Sequence, residues 1–258
     1  MKNLVALALL ACGVVAANAQ VLTLTDGDTF NADSSVNVNN DSTAAEYSAS
    51  YANGSGSGFG GTLGGATIRM EATANNMYFG FNPNGGIFNN IVVLIDSKAG
   101  GFTDATMNDT SDGGRAAITR PIANGLLTGP SGFAADYAIV FGSFGSVSFE
   151  LTGGSLNFLT FKDTAGSVAN NRELSISRST MGLTSANFGF NWVAYMTSDT
   201  GYMSDEVMPG PAIAGGNPGF DNSVTISNFN RFEAVPEPAS MTALALGVAA
   251  LARRRRKA

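Results

Sequence analysis

Four aspartates gather in the glycine-rich segment that follows a predicted strand: Asp96, Asp104, Asp109 and Asp112. Calcium binds several carboxylate and carbonyl oxygens at once, and a flexible acidic loop can supply them. The spacing is not that of an EF-hand loop, and aspartate is also an ordinary turn former. The sequence therefore leaves a structural calcium site open beside the interpretation that we favour, a solvated polar loop.

Three aromatic residues, Trp192, Tyr195 and Tyr202, are candidates for stacking against sugar rings, because aromatic side chains offer large, rigid contact faces. Phe190 and Trp192 share one face of a predicted strand by the period of two, which indicates a core position for Trp192. Tyr195 points to the opposite face and is the better binding candidate. Packing in the core or on the surface is the favoured alternative for all three.

Glu71, Glu150 and Glu173 are the carboxylates most plainly placed within predicted strands. A glycan hydrolase needs two carboxylates across a cleft, about 5–10 Å apart. The sequence does not show that any two of these residues pair, and glutamates on the outer face of a strand are ordinary. We therefore expect no enzymatic activity, with a carboxylate-dependent glycan hydrolase as the weakest alternative.

Two residue types are missing from the body of the chain. There is no histidine, and the one cysteine, Cys12, lies in the apolar leader. Ser-His-Asp hydrolysis, histidine acid–base catalysis, cysteine nucleophiles, disulfides and ordinary histidine or thiolate zinc sites are thereby excluded. No cofactor is expected other than structural calcium.

The net charge of −6 combines two basic ends with an acidic body. Lys2 and the five basic residues of 253–257 belong to the ends, so 14 − 6 = 8 basic residues remain in residues 20–234. They face 20 − 1 = 19 acidic residues once Glu237 is set aside, a balance of −11. Such a charge repels phosphate backbones, so we expect no nucleic-acid partner.

The elements that must position these residues are predicted to be strands. The 32 glycines and the charged fraction of 13% favour short strands joined by turns over long helices. Ten segments show alternation or enrichment in β-branched and aromatic residues. These segments are residues 21–25, 67–73, 77–81, 91–96, 136–141, 146–152, 156–161, 173–177, 188–196 and 224–229.

These strands predict an all-β fold, an antiparallel β-sandwich of jelly-roll type. Turn signals such as Asp112-Gly113-Gly114 separate them, and Asn53–Gly65 is a Gly/Ser-rich stretch expected to be a flexible surface loop. We place the sandwich in residues 67–234. Residues 20–66, with N-terminal strands and the Gly/Ser-rich loop, are expected to pack on it.

Residues 67–229 resemble DOMON-like sandwiches, which are related to carbohydrate-binding modules of xylanases. The resemblance is carried by five short segments: Asn75–Phe81, Ile91–Asp96, Gly132–Ala138, Arg172–Ile176 and Asp205–Gly210. It implies ligand binding, often of sugar and sometimes with a structural calcium. The chain departs from that pattern because it has a single tryptophan.

The N-terminal residues 1–19 form a predicted secretory signal peptide. A basic start at Lys2 precedes the apolar run Leu4–Ala17, and small residues precede the expected cleavage between Ala19 and Gln20. The Sec translocon and signal peptidase are therefore expected partners. A lipoprotein box ending at Cys12 is a weaker match.

The C-terminal residues 235–258 combine three features in order: Pro236-Glu237-Pro238, an apolar run over residues 240–252, and Arg253-Arg254-Arg255-Arg256. The apolar run spans roughly 21 Å as a helix, less than the ~30 Å hydrocarbon core, so it predicts a transient membrane stop with its basic end in the cytoplasm. The tail resembles the PEP-CTERM signal. That resemblance implies recognition by the membrane enzyme exosortase in bacteria that make extracellular polysaccharide.

Together these features predict an exported, non-enzymatic protein of the cell envelope, outer surface or extracellular matrix. Its expected task is binding of glycan, with extracellular polysaccharide as the partner. The alternative is a purely structural coat or adhesion protein without a defined ligand. The sequence identifies neither the glycan nor the oligomeric state.

Overall fold

The computed structural model describes residues 47–50, 58–72, 75–83, 85–102, 106–123, 127–128, 131–163, 172–184, 189–210 and 212–233. Within these ranges the chain forms one helix, α1 (Gly113–Ala123), and thirteen strands. The strands are β1 (Tyr47–Ser50), β2 (Thr67–Ala72), β3 (Asn76–Asn82), β4 (Asn90–Asp96), β5 (Leu127–Thr128), β6 (Tyr137–Gly142), β7 (Gly145–Thr152), β8 (Ser155–Asp163), β9 (Arg172–Ser177), β10 (Gly189–Thr197), β11 (Met203–Met208), β12 (Val224–Thr225) and β13 (Asn230–Glu233).

Two antiparallel sheets contain most of these strands. The smaller sheet has the order β1-β2-β3-β9, and the larger has the order β11-β10-β4-β6-β7-β8, with β13 also paired to β10. β3 pairs with β9 in the smaller sheet. The next strand after β3 is β4, the next strand after β9 is β10, and these two strands pair in the larger sheet. The two connections therefore cross between the sheets as neighbours, as in a jelly roll. The predicted antiparallel β-sandwich is confirmed.

The first core lies between the two sheets. Alternate residues of the smaller sheet, such as Ile68, Met70 and Phe79, point into it, and their polar neighbours face outward. The larger sheet contributes residues including Ile139 and Trp192, both fully buried. Burying each large apolar side chain contributes about 1.5–3 kcal/mol, so this alternation fixes the register of the strands.

A second core covers the other face of the larger sheet. Val92, Val193 and Tyr195 lie in it, beneath Ala117 and Ile118 of α1. The central strands β4, β6 and β10 are therefore buried on both faces, which explains their nearly continuous apolar runs. The fold thus has three layers: the smaller sheet, the larger sheet, and α1 with the loops beside it.

The helix α1 begins where the sequence predicts a turn, at Asp112-Gly113-Gly114. The Asp112 Oδ1 atom accepts the backbone N–H of Arg115 at 2.8 Å, and the Asp112 carbonyl accepts that of Ala116 at 2.9 Å. Asp112 is therefore the N-cap of the helix. Low intrinsic propensity, from two glycines and Pro121, is offset by this cap and by packing on the sheet.

The Gly/Ser-rich stretch is not a flexible surface loop over the part that the structure describes. Within residues 58–65, Thr62 and Leu63 are buried. The backbone N–H groups of Gly61 and Gly64 donate to the Glu206 carboxylate, each at 2.9 Å. The segment is thus fixed against β11, and residues 53–57 lie outside the described residues.

Several other predictions differ from the structure or fall outside it. The predicted strand at residues 224–229 is a strand only at β12, and β11 and β13 were not predicted. The predicted strand at residues 21–25, the signal peptide with Ala19 and Gln20, and the tail from residue 235 lie outside the described residues. In the part of the chain that is described, no helix is long and apolar enough to span a membrane.

Candidate functional site

A bulge in the β7–β8 hairpin creates an aromatic surface. Phe149 pairs with Phe158 and Val147 with Phe161, and the register shifts between these two pairs. The extra residue, Leu159, packs instead toward the core between the sheets. Directly opposed residues share a face of a sheet, so the bulge brings Phe158 and Phe161 to one face although they are three residues apart.

These side chains line an open groove of about 370 Å³ beside the first turn of α1. Phe149 is buried at its floor, and its ring centroid lies 6.3 Å from that of Phe158. Phe158 and Phe161 are 56% and 50% exposed, which is high for residues of this size. The groove residues are Asp112, Gly113, Gly114, Arg115, Phe144, Val147, Phe149, Phe158 and Phe161. The volume falls in the ordinary range of ligand sites, about 300–1,000 Å³.

Two glycines lie close to residues that line the groove. A Cβ atom at Gly142 would lie 2.5 Å from a ring carbon of Phe144 and 2.5 Å from the amide oxygen of Asn90, so a side chain at residue 142 would force these groups to move. At the helix, a Cβ atom at Gly114 would lie 3.3 Å from both the Asp112 carboxylate and a Val147 methyl. A side chain at Gly114 would therefore require the Asp112 carboxylate or the Val147 side chain to move by a few tenths of an ångström.

Arg115 forms the polar wall. Its guanidinium carbon lies 4.8 Å from the centre of the Phe149 ring, and its Nε atom lies 3.3 Å from the Asp109 carboxylate. Its Nη1 atom donates to the Asp112 carboxylate. The hydrogen bond from the Ser111 hydroxyl, helped by its backbone N–H and by the Arg115 charge, holds the pKa of Asp109 below its ordinary value.

The four predicted calcium ligands do not form one cluster in the part of the chain that is described. Asp109 and Asp112 meet around Arg115, whereas Asp96 lies at the far end of β4, where its carboxylate accepts the Ala134 N–H at 3.5 Å. Burial, added to by the nearby charge of Asp136, raises the pKa of Asp96. Asp104 lies outside the described residues.

Among the residues that the structure describes, no three acidic, histidine or cysteine side chains lie close enough together to hold a metal ion. Asp109 and Asp112 instead form ion pairs with Arg115, and Asp112 also caps the helix. Calcium binding stays a prediction of the sequence.

The predicted aromatic platform is corrected in two of its three members. Trp192 is fully buried between the sheets, as its position in the alternation indicated. Tyr195 does point to the opposite face, but α1 covers that face, and its hydroxyl donates to the Ala117 carbonyl at 3.4 Å. Burial raises the pKa of Tyr195. Neither ring is available to a ligand.

Tyr202 retains partial exposure. Its ring makes edge contacts with Phe59 and Phe220, with centroid distances of 5.1 and 5.2 Å. This aromatic cluster is separate from the residues that line the groove.

The three strand glutamates are divided between the two sheets. Glu71 and Glu173 lie on β2 and β9 of the smaller sheet, on either side of β3. Glu150 lies on β7 of the larger sheet, where its carboxylate pairs with the Lys98 ammonium at 2.8 Å. None of the three lines the groove, and the absence of enzymatic activity stays a prediction.

Residues 234–257 match the family model described as the PEP-CTERM protein-sorting motif. The chain carries a PEP-CTERM sorting motif. The match contains Pro236, Glu237 and Pro238 and the arginines 253–256. The protein is therefore exported, sorted to the cell envelope and processed by exosortase at the membrane.

The PEP-CTERM match covers the tail alone and does not describe the sandwich. The chain matches no curated protein and no solved structure. The resemblance to DOMON-like sandwiches thus has no support from these comparisons.

Proposed function

We propose that this exported protein is a non-enzymatic, glycan-binding module of the cell surface or extracellular matrix. The observation that carries the proposal is the open groove between α1 and the β7–β8 hairpin. Its floor is the ring of Phe149, and Phe158 and Phe161 present half-exposed rings beside it. Rings of this kind offer flat apolar faces to the C–H faces of a sugar, at low entropic cost.

The wall of the groove supplies the polar part of a sugar site. Arg115 keeps N–H donors beyond those that bind Asp109 and Asp112, and an arginine has five in all. Ligand sites usually combine an apolar lining with a few polar groups that fix orientation. Extracellular polysaccharide is the partner expected from the sequence, and export of the chain to the cell envelope supports this choice.

A structural coat or adhesion protein is the second candidate. One observation favours it: β8 is at the edge of the larger sheet and carries both exposed phenylalanines. An unpaired, partly apolar edge strand is a template for pairing with a further chain. This alternative predicts self-association without sugar binding.

The test is binding of the purified full-length chain to a glycan array, with calcium and then with a chelator. Replacement of Phe158 and Phe161 by alanine together should weaken binding at least about 5-fold, since two stacking rings are worth about 1–3 kcal/mol. Phe88→Ala is the matched control, because Phe88 is 82% exposed and outside the groove. Melting curves of the three proteins check that each is folded.

Two outcomes would contradict this proposal, and a third would bear on calcium. Binding that survives in the double variant, or that Phe88→Ala weakens equally, would remove the groove from the binding site. No binding to any glycan, with oligomers that the double variant dissociates, would favour the coat protein. Loss of binding with the chelator would support the predicted calcium site.

A further inference from the structure

We infer that the groove selects uncharged glycans and excludes acidic ones, such as chains of uronic acid or sulfated sugar. This inference rests on the proposed function and specifies its ligand class. Among the described residues that line the groove, Arg115 is the cation and Asp112 is the anion.

The charge of Arg115 is already neutralised by its neighbours. Its Nε atom pairs with Asp109 at 3.3 Å, and its Nη1 atom pairs with Asp112. One cation and two anions leave this group at 1 − 2 = −1. A carboxylate sugar that displaced one of these partners would gain no net ion pair, and one that bound the remaining N–H donors of Arg115 would bring a third anion to a group whose charge is already −1.

The wider surroundings act in the same direction. Asp199 lies beside the helix start, 3.1 Å from where a Cβ atom of Gly113 would be, and adds a further negative charge. The body as a whole carries 8 basic and 19 acidic residues. The field of such a chain repels polyanions over distances of about the Debye length, ~8–10 Å at ordinary salt.

An uncharged sugar ring avoids each of these costs. It stacks on Phe158 and Phe161 without bringing a charge near Asp109 or Asp112. Its hydroxyl groups can accept from the remaining N–H donors of Arg115, whose side chain is 25% exposed. Because no counterions are released on binding, affinity should depend little on salt concentration.

The first experiment is native affinity electrophoresis of the full-length chain. The gels contain either a neutral β-glucan or galactomannan, or alginate or polygalacturonate, at about 20 mM and about 300 mM salt. We expect retardation by a neutral polymer that changes less than about 2-fold with salt, and at least about 10-fold weaker binding to the acidic polymers.

Equal or stronger binding to alginate or polygalacturonate would overturn the inference but leave the proposed function standing. Retardation by no polymer, acidic or neutral, would overturn both. The two failures are therefore distinguishable in one set of gels.

The second experiment releases Arg115 from its partners. Asp109→Asn with Asp112→Asn removes both anions, and asparagine at residue 112 still serves as an N-cap. The ratio of acidic to neutral glycan binding should rise at least about 5-fold, because a free guanidinium binds carboxylates with two parallel hydrogen bonds. Asp221→Asn, an exposed aspartate outside the groove, should leave the ratio unchanged.

Should the double variant melt early, the single Asp109→Asn replacement tests the same point, since Asp109 pairs with Arg115 but does not line the groove. A ratio that stays unchanged in a folded variant would show that neutralisation of Arg115 does not set selectivity. That result would overturn the inference.

Discussion

Two buried carboxylates hold loops against strands, but they accept backbone N–H groups in different ways. Glu206 uses both oxygens: Oε2 accepts from Gly61 and Oε1 from Gly64, each at 2.9 Å. Asp136 uses one oxygen for two donors: Oδ2 accepts from Ser97 at 2.8 Å and from Lys98 at 2.9 Å. Glu206 is 0% exposed and Asp136 is 2% exposed. Amide substitution should therefore affect them unequally.

In Glu206→Gln one carboxylate oxygen becomes an NH2 group, which cannot accept a hydrogen bond. One glycine N–H then loses its partner in a buried site, at a cost of about 1–3 kcal/mol. In Asp136→Asn the remaining oxygen can keep both bonds. Each substitution also replaces a buried carboxyl group by an amide of nearly the same shape, so the packing change is similar in the two. We expect Glu206→Gln to lower the free energy of unfolding by about 1–3 kcal/mol more than Asp136→Asn.

The measurement is urea denaturation at pH 7, followed by the fluorescence of Trp192. This residue is the one tryptophan of the chain and is buried between the sheets. If Asp136→Asn proves as destabilising as Glu206→Gln, or more so, the reasoning from the two acceptor geometries is refuted.

The pH dependence of the free energy of unfolding gives a second check on Glu206. Burial raises the pKa of Glu206 above its ordinary 4.5, and the hydrogen bonds from Gly61, Gly64 and Leu63 offset part of the rise. The folded chain thus holds this proton where the unfolded chain has released it. The wild-type free energy of unfolding therefore decreases as pH rises from 4.5 through the folded pKa. The cost of Glu206→Gln should be larger at pH 4 than at pH 7.

Three further predictions concern the core, a turn and the tail. Trp192→Ala should lower the free energy of unfolding by about 3–5 kcal/mol, because it empties a site between the sheets; calorimetry or urea titration measures this. Gly101→Ala should destabilise the fold clearly more than Gly100→Ala in thermal melts, since both glycines have positive φ but only a Cβ at Gly101 would overlap the Ala134 carbonyl. Mass spectrometry of the surface-exposed protein should detect no peptides beyond about residue 238, and an intact arginine tail would count against exosortase processing.

The strands that the sequence predicts best are those with one polar face. β2 and β7 alternate cleanly, and their bounds are within one residue of the prediction. β11 was missed because Ser204, Asp205 and Glu206 are consecutive polar residues, which no half-buried strand pattern contains. The structure buries all three and satisfies Glu206 with backbone donors from a segment about 145 residues away in sequence. Such long-range compensation has no local signal.

The third layer explains the errors about the site. Alternation correctly assigned Trp192 and Tyr195 to opposite faces of β10, and the error was to assume that the second face meets solvent. α1 covers that face, and its sequence of two glycines, Thr119 and Pro121 carries little helical signal. Tyr195 is therefore interior for a reason that lies outside its own strand.

The sequence does not predict that Phe158 and Phe161 form a groove, for a different reason. A spacing of three places Phe158 and Phe161 on opposite faces of a regular strand, so they do not suggest a common platform. The bulge at Leu159 changes that, and bulges depend on the pairing of two strands. The sequence does contain one signal for an apolar surface here: residues 156–161 are rich in apolar residues, and neither face of the strand is fully polar.

Glu233, the last described residue before the sorting motif, lies at the end of the larger sheet opposite to the helix start that borders the groove. β13 runs antiparallel to β10 and ends at Glu233, which pairs with Gly189, so the chain leaves the sheet at that end. The other end of β10, Thr197, pairs with Asn90, whose amide donates to the Gly113 carbonyl at the helix start beside the groove. The eight steps along β10 span about 26 Å. The described chain therefore leaves the larger sheet at the end away from the helix start. Glycan binding should be equal, within about 2-fold, for the full-length chain and for the form processed by exosortase, and weaker binding by the full-length chain would place the tail against the groove.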